Sequence, residues 1–295
     1  MKMLPLRHAL LALAVVAVWG SNFTVAKLGL HDISPLFFTF LRFFFAFVPL
    51  AFFLKRPAVP WGHLAAYGVL IGAVQFGFLY AALEKDISPG LASLVIQAQV
   101  FVTIGLSMGL SGEKVRPYQW AALLLAASGL GLILLHGGAD ATPLGVILVL
   151  VSACGWAGGN QVSRMSGPVD MLAYVVWSSL FALPLLLPAA LLLDGWPAIA
   201  AGLSRATPAT WAAVAYQSVA NTMFGYGVWG WLLARYPAAT VAPLSLLVPV
   251  FGFAVSALVL GEALPAWKLV AGALVLGGLA FNLLWPRIAR PAPAA

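Results

Sequence analysis

Two stripes of matching chemistry recur in the chain. Trp19, Phe23 and Lys27 fall at i, i+4 and i+8 with Asn22 adjoining, and Trp156, Asn160 and Arg164 repeat that spacing. On a helix each trio shares one face. Two more segments carry similar groups: Gln75 with Tyr80, and Asn221, Gly225 and Trp229 at i, i+4 and i+8 with Tyr226 close by. Gln97 and Gln99 stand about 200° apart at 100° per residue, so an ideal helix points one at a central cavity and the other at a neighbouring helix. Aromatic faces with polar tips and carboxamides bind an aromatic solute by stacking and hydrogen bonding. The candidate solute contacts are therefore Trp19, Asn22, Tyr80, Gln97, Gln99, Trp156, Asn160, Asn221, Tyr226 and Trp229. Each has a plainer use: Lys27 and Arg164 as interfacial anchors, the asparagines as helix-to-helix hydrogen bonds, the aromatics as bundle packing.

The elements that position these groups must be membrane helices. Of 295 residues 63% are hydrophobic and 8% charged, whereas soluble domains run near 25% charged. Charges fall in short clusters between long apolar runs, as expected where hydrocarbon is the solvent and a span needs roughly 20 apolar residues. The net charge of +7 and pI near 9.8 come from dispersed bases with no basic stripe, so nucleic acid is not implied. The single Cys154 can form no internal disulfide and reads as a small packing residue. The N-terminal apolar run extends past Trp19 to about Leu30 and is followed by further spans, so it reads as a first membrane helix rather than a signal peptide.

Nine breaks at turn residues and charges give ten helices: 8–30, 34–54, 62–83, 88–110, 116–136, 143–163, 169–193, 209–234, 237–260 and 265–285. Lipid-facing backbone must satisfy its own hydrogen bonds, and the alternating pattern of a membrane β-barrel is missing. With the N-terminus inside, the inner loops hold Lys2, Arg7, Lys55, Arg56, Lys114, Arg116, Arg164, Arg235, Arg287 and Arg290, and the outer loops hold Lys27, Lys85, Arg205 and Lys268. The bias predicts both termini in the cytoplasm.

The chain also repeats itself. A shift of 149 lays Gly112-Glu113 on Gly261-Glu262 and Tyr80 on Trp229, and a shift of 137 lays Trp19 through Lys27 on Trp156 through Arg164. The expected units are residues 1–138 and 139–295. Each holds five helices, an odd number, so the second enters the membrane inverted relative to the first. Exchanging the conformations of two such opposed bundles turns an inward-open shape outward around a site near the midplane.

With its five-plus-five plan, Trp19-Gly-Ser-Asn-Phe in the first helix, Leu41-Arg42-Phe43 in the second, and Gly-Glu closing the fourth and ninth, the chain resembles the EamA family of the drug/metabolite transporter superfamily. Within it the chain is most similar to the YddG type of aromatic amino-acid exporter. The resemblance implies an all-α integral membrane protein of ten transmembrane helices in two inverted repeats. It further implies export of small metabolites, aromatic and other neutral amino acids first, across a bacterial inner membrane. Other metabolites such as purines or sugar derivatives are the alternative. The expected partners are a small-molecule substrate and membrane lipid, in a monomer with a dimer as the alternative, and no cofactor or metal is expected.

Arg42 lies inside the second span, where an unpaired charge costs about 2.5–3.5 kcal/mol. Its readings are a contact for a substrate carboxylate, or a structural group that snorkels to loop carbonyls; the resemblance implies the structural one. All eight carboxylates fall in loops or at helix ends, which argues against a mid-membrane proton relay and for movement down the solute's own gradient, or exchange. Pro184, Pro188, Pro243 and Pro249 are expected to bend their helices or free carbonyls. The four histidines sit at helix ends on opposing sides, which argues against an intramembrane enzyme.

Overall fold

A computed structural model describes residues 5–111, 116–236 and 238–288. Lys2, Lys114, Arg290, Pro237 and the Gly112-Glu113 half of the repeat lie outside the described residues. Ten helical segments follow in order: α1 (Leu6–Gly29), α2 (Pro35–Ala51), α3 (Trp61–Lys85), α4 (89–111), α5 (Pro117–His136), α6 (Pro143–Met165), α7 (Met171–Arg205), α8 (208–235), α9 (238–260) and α10 (Ala266–Ile288). Eight of them are long and apolar enough to cross a membrane, and α2 is a shorter apolar helix. The segment α8 falls below that hydropathy because Gln217, Ser218, Asn221 and Thr222 sit in its middle, all of them buried. Its polarity is turned inward and does not meet lipid.

One expected loop is largely helical. The seventh span was expected to end at 193, yet α7 passes through a π-helical turn at Ala190–Gly195 and continues as Trp196–Arg205. Gly195 takes φ +83° there, a left-handed conformation that glycine adopts without strain. The appended helix is amphipathic: Ile199 and Gly202 are buried while Trp196 is exposed. Cys154, expected to pack inside, is exposed.

The repeat is visible in the element bounds. Leu6 and Pro143, which open α1 and α6, stand 137 residues apart, and α4 and α9 open 149 apart, as do α5 and α10. Irregular turns recur as well. A π-helical stretch occupies Gly68–Phe76 in α3 and Tyr216–Phe224 in α8, and a 3₁₀ stretch occupies Ile96–Ala98 in α4 and Ala242–Leu247 in α9. Pro243 lies in the second of these 3₁₀ turns and lacks an N–H, whereas the first forms with no proline.

Packing interlocks the halves. The most extensive contacts join α3 to α6 and α5 to α10, followed by α1 to α8, α1 to α9 and α2 to α7. Each pairing has its mate when the halves are exchanged, the signature of a pseudo-two-fold axis. Small residues allow the close approaches. A Cβ at Gly278 would stand 2.6 Å from the Ala122 carbonyl oxygen, so α10 rests directly on α5.

Candidate transport cavity

A cavity of about 670 Å³ opens between α4, α6, α8 and α9. Of the ten expected contacts, Trp19, Gln97, Gln99, Trp156, Asn160, Tyr226 and Trp229 line it. Trp19 is its hub: its ring centre lies 5.1 Å from that of Trp229 and 5.6 Å from that of Tyr226, both tilted. The indole can lie this close to α8 because Gly225 has no side chain; a Cβ there would stand 2.4 Å from the indole Nε1. The same Nε1 donates to the Asn221 carbonyl at 3.4 Å.

Gln97 and Gln99 both line the cavity, against the expectation that only one does. The 3₁₀ turn at Ile96–Ala98 advances by about 120° per residue, so two steps leave the side chains about 120° apart on the circle rather than about 160°. The broad cavity spans that angle.

Asn22 and Asn221 stand one layer deeper, lining a small chamber of about 30 Å³ that shares Trp19, Trp156, Tyr226 and Val248 with the main cavity. Each also serves the helices: Asn22 Nδ2 donates to the Trp19 carbonyl at 3.0 Å, and the Asn221 carboxamide oxygen accepts from Arg42 Nη1 at 3.1 Å. Gln75 lines the same chamber, and its buried Oε1 has no partner among the described residues.

Tyr80 lines neither space. It is fully buried, and its hydroxyl accepts from Arg42 Nη1 at 2.6 Å. Arg42 does not snorkel to loop carbonyls. It is itself fully buried, donates from Nε to Thr222 Oγ1 at 3.1 Å and from Nη1 to Gln217 Oε1 at 3.2 Å, and lies over the Phe76 ring. The irregular turns of α3 and α8 bring Phe76, Gln217 and Thr222 to it from two sides. Sequence reading missed Gln217, although the polar run from Gln217 to Thr222 in an otherwise apolar helix marks it. It also missed Tyr67, Ser163, Met171 and Ser245 in the cavity wall.

The cavity is closed at one end and open at the other. At the closed end Lys27 Nζ donates to the carbonyls of Leu83 and Glu84 at 2.8 and 2.7 Å, a tie between helix ends that the reading as an interfacial anchor did not include. Nearby, Glu262 accepts from Ser88 Oγ at 2.6 Å, the Gly90 N–H at 3.1 Å, Lys268 Nζ at 2.9 Å and Ser256 Oγ. Lys268, fully buried, also pairs with Asp140 at 2.9 Å. Burial raises the Glu262 pKa, but the hydrogen bonds from Ser256, Ser88 and Lys268 outweigh it and hold the carboxyl below its ordinary value. Asp32 is likewise lowered, by hydrogen bonds from Thr210 and His31. At the open end the mouth is framed by Arg164, Gly167, Pro168, Leu233 and Ala234. Among the described residues no three His, Cys, Asp or Glu side chains gather as a metal site would.

Comparison with known proteins places the chain among transporters of the same fold. The chain is 39% identical over 293 residues to a Salmonella typhimurium (strain LT2) protein named "Probable amino-acid metabolite efflux pump", covering 97% of this chain and 98% of that one. A protein of the same name from Escherichia coli (strain K12) is 39% identical over 284 residues, covering 94% and 95%. One crystal structure shares the fold at TM-score 0.64 and 20% identity, over 95% of this chain and 99% of its own. The EamA-like transporter family matches residues 6–135 and 143–284. The chain belongs to that family, in the drug/metabolite transporter superfamily.

Proposed function

We propose that the protein exports small metabolites, amino acids and their close relatives first, across a bacterial inner membrane by alternating access. The observation that carries this is a cavity walled by indoles, a phenol and carboxamides, closed at the Lys27 end and open at the Arg164 end. Its volume sits within the roughly 300–1,000 Å³ of small-molecule sites. Two curated relatives named for amino-acid metabolite efflux support the substrate class. With both termini cytoplasmic, as the basic loops suggest, this conformation faces inward and Lys27 and Glu262 seal the periplasmic side.

In this reading Trp19, Trp156, Tyr226 and Trp229 stack on the solute while Gln97, Gln99 and Asn160 meet its polar groups. Asn22 and Asn221 serve the deeper chamber. Tyr80 acts only through Arg42. The interlocked packing makes whole halves poor rigid bodies, so the π and 3₁₀ turns in α3, α4, α8 and α9 are the places where the bundle bends. Uncoupled diffusion or exchange is the simplest energetics, because no carboxylate lines the cavity among the described residues.

Purified protein in liposomes loaded with radiolabelled aromatic and aliphatic amino acids tests this. Efflux should be slowed by Trp156→Ala and Asn160→Ala. Failure of both amino-acid classes to move would sink the substrate reading, and strong stimulation by an imposed pH gradient would sink the uncoupled one.

A further inference from the structure

Arg164 is the single charged side chain in the cavity wall among the described residues. It is exposed, in the last turn of α6, and makes neither hydrogen bond nor ion pair with any described residue. Its repeat mate under the shift of 137 is Lys27, in the last turn of α1. Lys27 is engaged: its ammonium holds the carbonyls of Leu83 and Glu84 at the C-terminal end of α3. The mate of α3 is α8, and the shift of 149 carries Leu83 and Glu84 onto Leu232 and Leu233. Leu233 frames the open mouth together with Arg164.

We propose that Arg164 is the inner latch of the transporter: as the mouth closes, its guanidinium docks on the Leu232 and Leu233 carbonyls while Lys27 leaves those of Leu83 and Glu84. This rests on the alternating-access reading. The physical basis is the same at both ends. The last carbonyls of a helix carry partial negative charge and keep a lone pair open even where a turn N–H already caps one, as the Tyr236 N–H caps the Leu232 carbonyl at 2.9 Å, so a cation with several N–H groups is a fitting further cap. A guanidinium can span two adjacent carbonyls with separate N–H groups. Because both docking sites are neutral backbone, exchanging one latch for the other moves no proton.

Two spin-label pairs on a Cys154→Ser background test the latch. The first pair, at Leu28 and Lys85, reports the Lys27 end, and the second, at the repeat mates Met165 and Ala234, reports the Arg164 end. In the otherwise unaltered protein each pair should show a short and a long distance, the two pairs in opposite proportion. Arg164→Ala should deplete the short Met165–Ala234 population roughly tenfold or more, the loss expected for a charge-assisted hydrogen bond. Arg164→Lys should restore it, because lysine makes the bond at the other end. Lys27→Ala should shift both pairs the opposite way. A short population unchanged in Arg164→Ala overturns the latch while leaving alternating access intact. One fixed distance in each pair of the unaltered protein overturns alternating access itself. Retention of the short Leu28–Lys85 distance shows that Arg164→Ala is folded; if that distance is lost, Arg164→Gln, which keeps length and removes charge, is read by the same criteria.

Discussion

The guanidinium of Arg42 lies 3.5 Å from the centre of the Phe76 ring. Its other partners, Tyr80, Gln217, Thr222 and the Asn221 carboxamide, are neutral, and no carboxylate forms an ion pair with it among the described residues. The charge is held by geometry: a flat cation stacks on one face and donates from its edges. Arg42→Lys keeps the charge and loses that fork, leaving it under-paired in a buried site at a cost of about 3–5 kcal/mol. Arg42→Met removes the charge and strands the Tyr80 and Gln217 acceptors, at about 1–3 kcal/mol. Thermal unfolding in detergent should therefore rank Lys below Met. The reverse order would mean the site tolerates a point charge.

Tyr80 and Trp229 are repeat mates with different surroundings. Tyr80→Phe should lower thermal stability by about 1–3 kcal/mol by removing an acceptor from a buried donor, with KM for transport unchanged. Trp229→Ala should raise KM roughly tenfold with little change in the melting temperature. A KM effect from Tyr80→Phe would put the phenol in contact with the solute.

The space above Gly225 is filled by Trp19. Gly225→Ala should push the indole into the cavity at an overpacking cost of about 1–3 kcal/mol. Substrate affinity measured by competition should fall about tenfold, the factor carried by ~1.4 kcal/mol. Unaltered affinity would show that Trp19 does not position the solute.

Glu262 gives the closed end a pH dependence of definite sign. Its carboxyl is held below the ordinary value, so its contribution is complete above the ordinary carboxylate range and is lost as pH falls through the lowered value. Melting temperatures of the native protein and of Glu262→Gln should differ by a constant amount at pH 6–8 and converge as the medium is acidified below about pH 4. Asp140→Asn should do much less, because Asp140 is 48% exposed where Glu262 is 7% exposed. Divergence on acidification would reverse the assigned sign.

Apolar run length located nearly every helix to within a few residues, because hydrocarbon thickness imposes it. It failed at Trp196–Arg205, where Asp194, Gly195 and Pro197 resemble a loop while the backbone turns and stays helical. The stripes through Trp19 and Trp156 led to the cavity because helical periodicity sets side-chain direction. Gln97 and Gln99 broke that rule at a 3₁₀ turn formed without proline or glycine, so nothing local announced it. Lys27 resembled an anchor because its partners are backbone carbonyls, which every residue has and no sequence marks. Tyr80 resembled a cavity residue because a buried phenol and a cavity phenol are the same letter; only Arg42 beside it separates them.

The interlocking of the halves also governs how the chain must be assembled. The Trp19 indole bonds to Asn221, 202 residues downstream, and the glycine surface of Gly20 closes on Phe251. As α1 enters the bilayer neither partner has been synthesised, so the first helix must wait in lipid with these surfaces unmatched. Assembly is therefore a late event in biogenesis, completed when the last helices slot between the first.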